Sequence, residues 1–199
     1  MIKDTKIPAG NATIEAITTY LKENDPRNVL ELGGGTGALS KVILENSRAY
    51  LDVYEHQELF QNLMKQNLLP EKILGKDYMI TKSYRFPPLL RIYDLVIVDG
   101  GGRGQIDNCD YPEAIGVFLR SLDSFKTIII EGQRRYQKRL ILEEIRRKKY
   151  IYKVTKYPDP LGGKKIATRL DCQPCSNPLK RYFNDIINRR KVVKKLRIC

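Results

Sequence analysis

Little in this chain suits a membrane or an oxidising compartment. No run approaches the roughly 20 consecutive apolar residues that a bilayer-spanning helix requires, and the opening MIKDTKIPAG lacks the apolar stretch of a secretory leader. Four cysteines in 199 residues, Cys109, Cys172, Cys175 and Cys199, do not read as a disulfide framework. A cytoplasmic protein in a reducing environment is the expectation. Cys172 and Cys175 form a single C-x-x-C, which offers two ligands where zinc takes four, so this stretch reads as a loop turn and no metal site is expected. Histidine is scarcer still. His56 is the only one, leaving little room for an imidazole base. No internal repeat and no low-complexity tract appears.

Acid is scarce in the last third. Residues 1–131 carry 15 Lys/Arg and 18 Asp/Glu, a net −3, whereas residues 132–199 carry 21 and 5, a net +16. A one-sided field of that size attracts anions: nucleic acid, phosphorylated metabolites or an acidic membrane surface. A solubilising surface explains the same charge equally well.

The pattern that is present alternates strands and helices. NATIEAITTYLKEN (Asn11–Asn24) has apolar residues at helical spacing, and NVLEL reads as a short buried strand. A glycine loop and a helix over Ala38–Glu45 follow. AYLDVYE (Ala49–Glu55) is a second strand, and QELFQNLMKQNLL a second helix ending at Pro70. KILGKDYMI is a weaker third strand and YDLVIVDGG a strong fourth. Next come the helix YPEAIGVFLRSL, the strand KTIIIEG and the basic helix RRYQKRLILEEIRRKK. This alternation predicts an α/β fold with a doubly wound, mostly parallel sheet. YIYKVTKY and KKIATRL, joined by PDPLGG without a helix, predict an antiparallel hairpin at one end of that sheet. Residues 1–176 form the expected domain. Residues 177–199 form a basic C-terminal helix or tail, with Leu179, Tyr182, Phe183, Ile186, Ile187 and Val193 on a recurring face. A docking helix with a solvated basic face is one reading, and contact with RNA or with an anionic membrane surface is the other.

ELGGGTG (Glu31–Gly37) follows the first strand and opens a helix. A glycine turn there lets backbone N–H groups approach a ligand, and the helix adds its positive N-terminus. No Gly-Lys-Ser/Thr follows, so it is not a P-loop. Glu31 with Gly33, Gly35 and Gly37 spaced by two also fits G-x-G-x-x-G poorly. This E-x-G-x-G-x-G pattern resembles the first signature of the class I S-adenosylmethionine-dependent methyltransferases, and the resemblance runs over roughly residues 10–170. It implies a seven-stranded Rossmann-like sheet and S-adenosylmethionine as cofactor. Glu55 would accept from the ribose hydroxyls, with His56 packed beside the adenine. Asp77, in the loop after strand three, would sit near the adenine amino group. Glu31 and the backbone at Gly33, Gly35 and Gly37 would hold the amino-acid end. Asp99, ending strand four, would lie near the transferring methyl.

The acceptor is less legible. Asp99-Gly100-Gly101-Gly102 replaces the Asn/Asp-Pro-Pro-Tyr/Phe of nucleic-acid amino methyltransferases, and no cysteine stands where cytosine C5 chemistry needs one. The ribose 2′-O set lacks a glutamate in its last strand. The run Asp99, Gly100, Arg103, Cys109 with IIIEGQRRY is more similar to a small-molecule or glycan-type branch. Asp99 and then Glu131 are the candidate catalytic proton acceptors. Together they would make only part of a metal site. Arg103, Arg134, Arg135 and Lys138 are candidate substrate-binding cations, arginine being suited to bidentate anion contacts. The expected reaction is O-methylation of an anionic small molecule or glycan-type precursor. RNA methylation through the basic third, or RNA and protein binding without catalysis, are the alternatives.

Overall fold

The computed structural model describes residues 10–81, 90–99, 105–106, 109–132, 135–162 and 166–193. Its main sheet has strands β1 (Asn28–Leu32), β2 (Tyr50–Tyr54), β3 (Tyr78–Thr81), β4 (Ile92–Val98), β5 (Ser124–Glu131), β6 (Tyr150–Pro158) and β7 (Ile166–Pro174). Their order is β3-β2-β1-β4-β5-β7-β6. The first five are parallel, and β7 runs antiparallel to both β5 and β6. Both the doubly wound sheet and the terminal hairpin are as the sequence predicts. A two-residue ribbon, Gln105–Ile106 against Cys109–Asp110, lies outside the main sheet.

The helices are α1 (Asn11–Glu23), α2 (Ala38–Asn46), α3 (Glu58–Asn67), α4 (Leu69–Ile73), α5 (Tyr111–Ser121), α6 (Arg135–Arg147) and α7 (Pro178–Val193). Strands β1, β4 and β5 lie inside the sheet with both faces covered, which explains their continuous apolar runs. One core joins α1 and α2 to Val29, Leu51, Val53, Leu95, Ile97 and Ile129. The other joins α5 and α6 to Leu30, Leu32, Val96, Val98, Ile128 and Ile130. Asp52 is buried in β2, where it accepts hydrogen bonds from the hydroxyls of Tyr50 and Tyr93. Burial pushes that carboxyl up and both bonds pull it back.

Three expectations are corrected. Pro70 does not end the second helix: α3 closes at Asn67, and Pro70 stands in the first turn of the separate α4, where its missing N–H costs nothing. Cys172 is not in a loop turn. It is buried within β7, and burial raises its thiol above the ordinary range. The third correction concerns α7: of the six residues expected to dock, Val193 packs against the core, but Leu179, Tyr182, Phe183, Ile186 and Ile187 are exposed. Asn184 Oδ1 accepts from the Tyr152 N–H at 2.9 Å, while the Asn184 and Asn188 amides donate to the Tyr152 carbonyl at 3.1 and 2.9 Å. Asp185 accepts from the Tyr152 hydroxyl at 3.1 Å and from Arg146 at 3.0 Å. Strand β6 is the sheet's edge, so its free main-chain groups need polar partners. Helix α7 therefore presents asparagines inward, and its apolar contact with the core comes at its C-terminal end, where Val192 is buried and the partly buried Val193 packs beside it.

Candidate active site

Strand register brings the sequence's acids to one edge. Leu32 pairs with Tyr54 on one side and with Val98 on the other, and Val98 pairs with Ile130. The next residues, Gly33, Glu55, Asp99 and Glu131, therefore emerge side by side at the carboxyl ends of the parallel strands. Here β1 passes from β2 on one flank to β4 on the other, the switch point at which open α/β sheets bind ligands.

The glycine loop is anchored beneath and open above. The Gly33 and Gly34 N–H groups both donate to the Tyr54 carbonyl, at 2.8 and 3.1 Å. A Cβ on Gly34 would lie 2.3 Å from Met64 Cε and 2.4 Å from Val53 Cγ1, so this glycine is fixed by close packing. Gly35 is the opposite case. Its φ is +52° and a Cβ there would meet nothing within 4 Å, so the loop backbone borders free space. The Gly35 N–H donates to Glu55 Oε2 at 2.8 Å. Gly37, with φ +86°, precedes α2 and abuts Met64. Asn67 braces the loop by donating to the Thr36 carbonyl at 2.8 Å.

Glu55 is buried, and each of its oxygens is engaged. Oε2 takes the loop, and Oε1 accepts from the Gln57 N–H at 2.8 Å. A carboxylate has about four lone-pair sites, so two more donors can be received. His56 Nδ1 stands 3.4 Å from Glu55 Oε1, with the ring one-third exposed. Gln61 holds the backbone at this point, its amide donating to the Glu55 carbonyl at 2.7 Å.

Glu31 is almost wholly buried and receives the Ser40 hydroxyl at 2.5 Å. Burial drives its carboxyl up to about 8. The Ser40 bond opposes that shift, and the charge of Glu55 adds to it. It thus titrates near neutrality, a property enriched at functional sites. Asp99 is half-buried, its N–H donating to the Leu32 carbonyl at 3.0 Å. Glu131 is buried, and its Oε1 accepts from the Gly10 N–H at 3.0 Å, tying the chain before α1 to this edge.

Asp77 does not join them. It precedes β3, whose first residue Tyr78 pairs with Leu51 at the start of β2. That places it at the opposite edge, about 13 Å from the strand ends at 3.3 Å per residue. Its charge acts on Tyr50 there. The expected adenine contact through Asp77 is withdrawn, because β3 begins after it and not before.

The expected cation cluster divides. Arg103 and Arg134 lie outside the described residues. Arg135 is exposed and, with Arg139, lines a groove against Arg189 and Arg190 of α7. Lys138 falls on the buried stripe of α6, and its Nζ donates to Thr168 Oγ1 at 3.1 Å. Burial, then the nearby charge of Lys156, lowers its ammonium to about 8. Lys138 therefore does not share the surface of Arg135, as the α6 periodicity could have warned. Gly34, Ser40 and Gln61 escaped the sequence reading, since each acts through packing or a hydrogen bond that no motif or spacing marks.

Known structures share this architecture. The methyltransferase domain of bacterial CtHen1 superposes with TM-score 0.60 at 13% identity, over 81% of this chain and 97% of that one. The fold is that of the class I S-adenosylmethionine-dependent methyltransferases. Within this class, a precorrin-6y C5,15-methyltransferase from Geobacter metallireducens gives TM-score 0.59 at 13% identity, over 86% and 92% of the two chains. The 23S rRNA methyltransferase ErmE gives 0.55 at 14%, over 84% and 69%. No protein-family model matches the sequence, and no curated protein matches it.

Proposed function

We propose that the chain is an S-adenosylmethionine-dependent methyltransferase acting on an oxygen of an anionic small molecule or glycan-type precursor. One observation carries the cofactor reading: the Gly35 backbone faces open space while its N–H is held by Glu55 at the switch point. A carboxylate with spare acceptor capacity beside an open loop suits a ligand bearing ribose hydroxyls. The half-buried Asp99 suits a cationic centre close by. The bound cofactor would supply an electrophilic methyl group on sulfur.

The chain's part is chiefly positioning, which lowers the barrier of an in-line displacement by holding the two reactants in near-attack geometry. Glu55 and the loop hold the ligand at the ends of β1 and β2. Asp99, two strands from Glu55, is placed to take the proton of an acceptor hydroxyl. Asp99 ends β4, directly beside the β1 loop, whereas Glu131 lies one strand further away, so Asp99 is the preferred base. Gln137, buried at the start of α6 with neither amide atom paired among the described residues, supports a polar acceptor on the same side, because a buried unpaired amide is otherwise unfavourable.

Calorimetric titration with S-adenosylmethionine and S-adenosylhomocysteine tests the reading. Both should bind at about micromolar strength, and Glu55→Ala should weaken both about tenfold or more. Absence of binding overturns it. An RNA acceptor is favoured by the net +16 of residues 132–199. It requires methyl transfer to RNA, with an affinity that falls steeply as salt rises.

A further inference from the structure

The outer face of α7 is apolar and uncovered. Leu179, Tyr182, Phe183, Ile186 and Ile187 project from it, with Leu179 67%, Phe183 59% and Ile187 60% exposed. At 100° per residue these five share an arc about 140° wide. Cations border it: Lys180 and Lys191 on one flank, Arg189 on the other, and Arg190 within its C-terminal end. Beside Arg189 and Arg190 opens a groove of about 480 Å³, whose other wall carries Arg135 and Arg139 of α6. One acid, Glu143, lines it. The inward face of α7 already makes its contacts with Tyr152 and Arg146, so the outward one is not a misplaced core surface.

We infer that α7 is an interfacial anchor, which lays its apolar arc into an anionic phospholipid surface while the groove arginines engage headgroup phosphates. The combination selects this occupant. An apolar arc edged by Lys and Arg is the pattern of helices that lie in the plane of a bilayer interface, and each cation near an anionic leaflet adds attraction. RNA would use the cations and the two rings, but gains little from Leu179, Ile186 and Ile187 in the same face. A second copy fits worse. Antiparallel pairing of two α7 helices about their midpoints would set Lys180 of one copy beside Lys191 of the other, like charge against like. Nothing here depends on methyl transfer, and the experiment needs no cofactor.

The full chain is sedimented with vesicles of phosphatidylcholine alone and of phosphatidylcholine mixed with phosphatidylserine. It should partition onto the mixed vesicles and not the neutral ones. Phe183→Asp with Ile187→Asp should lower that partition about tenfold or more. Arg135→Glu with Arg190→Glu should lower it similarly. All four side chains are exposed. Should the aspartates depress the melting temperature, Phe183→Ser with Ile187→Ser replaces them. Failure to bind mixed vesicles overturns the inference. So does binding indifferent to the Phe183 and Ile187 changes, which would be charge adsorption only. Self-association or RNA binding that those same changes abolish, without vesicle binding, gives the face to a second copy or to RNA.

Discussion

The centre and the edge of the sheet solve opposite problems. At the centre, β1 is bonded on both sides, so its neighbours need only fit. The glycine loop there is set by contact and by backbone conformation, with Gly34 wedged against Met64 and Val53. At the edge, β6 has a partner on one side only. Its main chain asks for donors and acceptors, and α7 supplies them with Asn184 and Asn188. Inward therefore means apolar in one place and polar in the other. The lesson is that a helix buries whatever its receiving surface lacks.

Substitutions can break this contrast. The largest effect is expected at the centre: Gly34→Val should cost about 3 kcal/mol or more, read by chemical denaturation, since buried Val53 has nowhere to retreat. At the edge, Asn184→Ala with Asn188→Ala should cost about 2 kcal/mol by leaving the Tyr152 N–H and carbonyl unpaired. An effect below about 0.5 kcal/mol would mean that water replaces the asparagines.

Glu31 sharpens the contrast through pH. Its carboxyl titrates near 8 in the folded state and near 4.5 unfolded. The folded state thus holds the extra proton between those values, and stability from this group falls as pH rises from about 4.5 to 8. Glu31→Gln keeps an acceptor for Ser40 and removes the loss. It should stabilise the protein by about 1–2 kcal/mol at pH 8 and hardly at all at pH 4. Equal gains at both values would show that the carboxyl does not titrate in this window. The smallest effect belongs to the outer face of α7, where Phe183→Ser should change stability by less than about 0.5 kcal/mol. A larger loss would mean that the face is covered within the folded chain.

The sheet and the position of its acids were legible because buried parallel strands leave continuous apolar runs, and the residue after each run falls at the carboxyl edge of the sheet. Glu55, Asp99 and Glu131 follow such runs. Asp77 was misplaced because β3 has only four residues, all partly exposed, and carries no run to fix its ends. The Pro70 boundary failed because proline is as compatible with a helix's first turn as with its end. For α7, periodicity revealed an apolar face but could not say what the receiving surface was. Lys138 was read by its neighbours in sequence, although the α6 stripe Lys138, Ile141, Leu142 and Ile145 turns it inward.

The asparagine contacts of α7 also bear on how the protein stays dispersed. A free strand edge is a template on which another chain can add a strand. With Asn184 and Asn188 seated on Tyr152, a strand arriving at β6 must first displace a helix that already answers its hydrogen bonds. Were α7 drawn away from β6, that template would be uncovered, and a loss of docking would be felt first as intermolecular sheet growth.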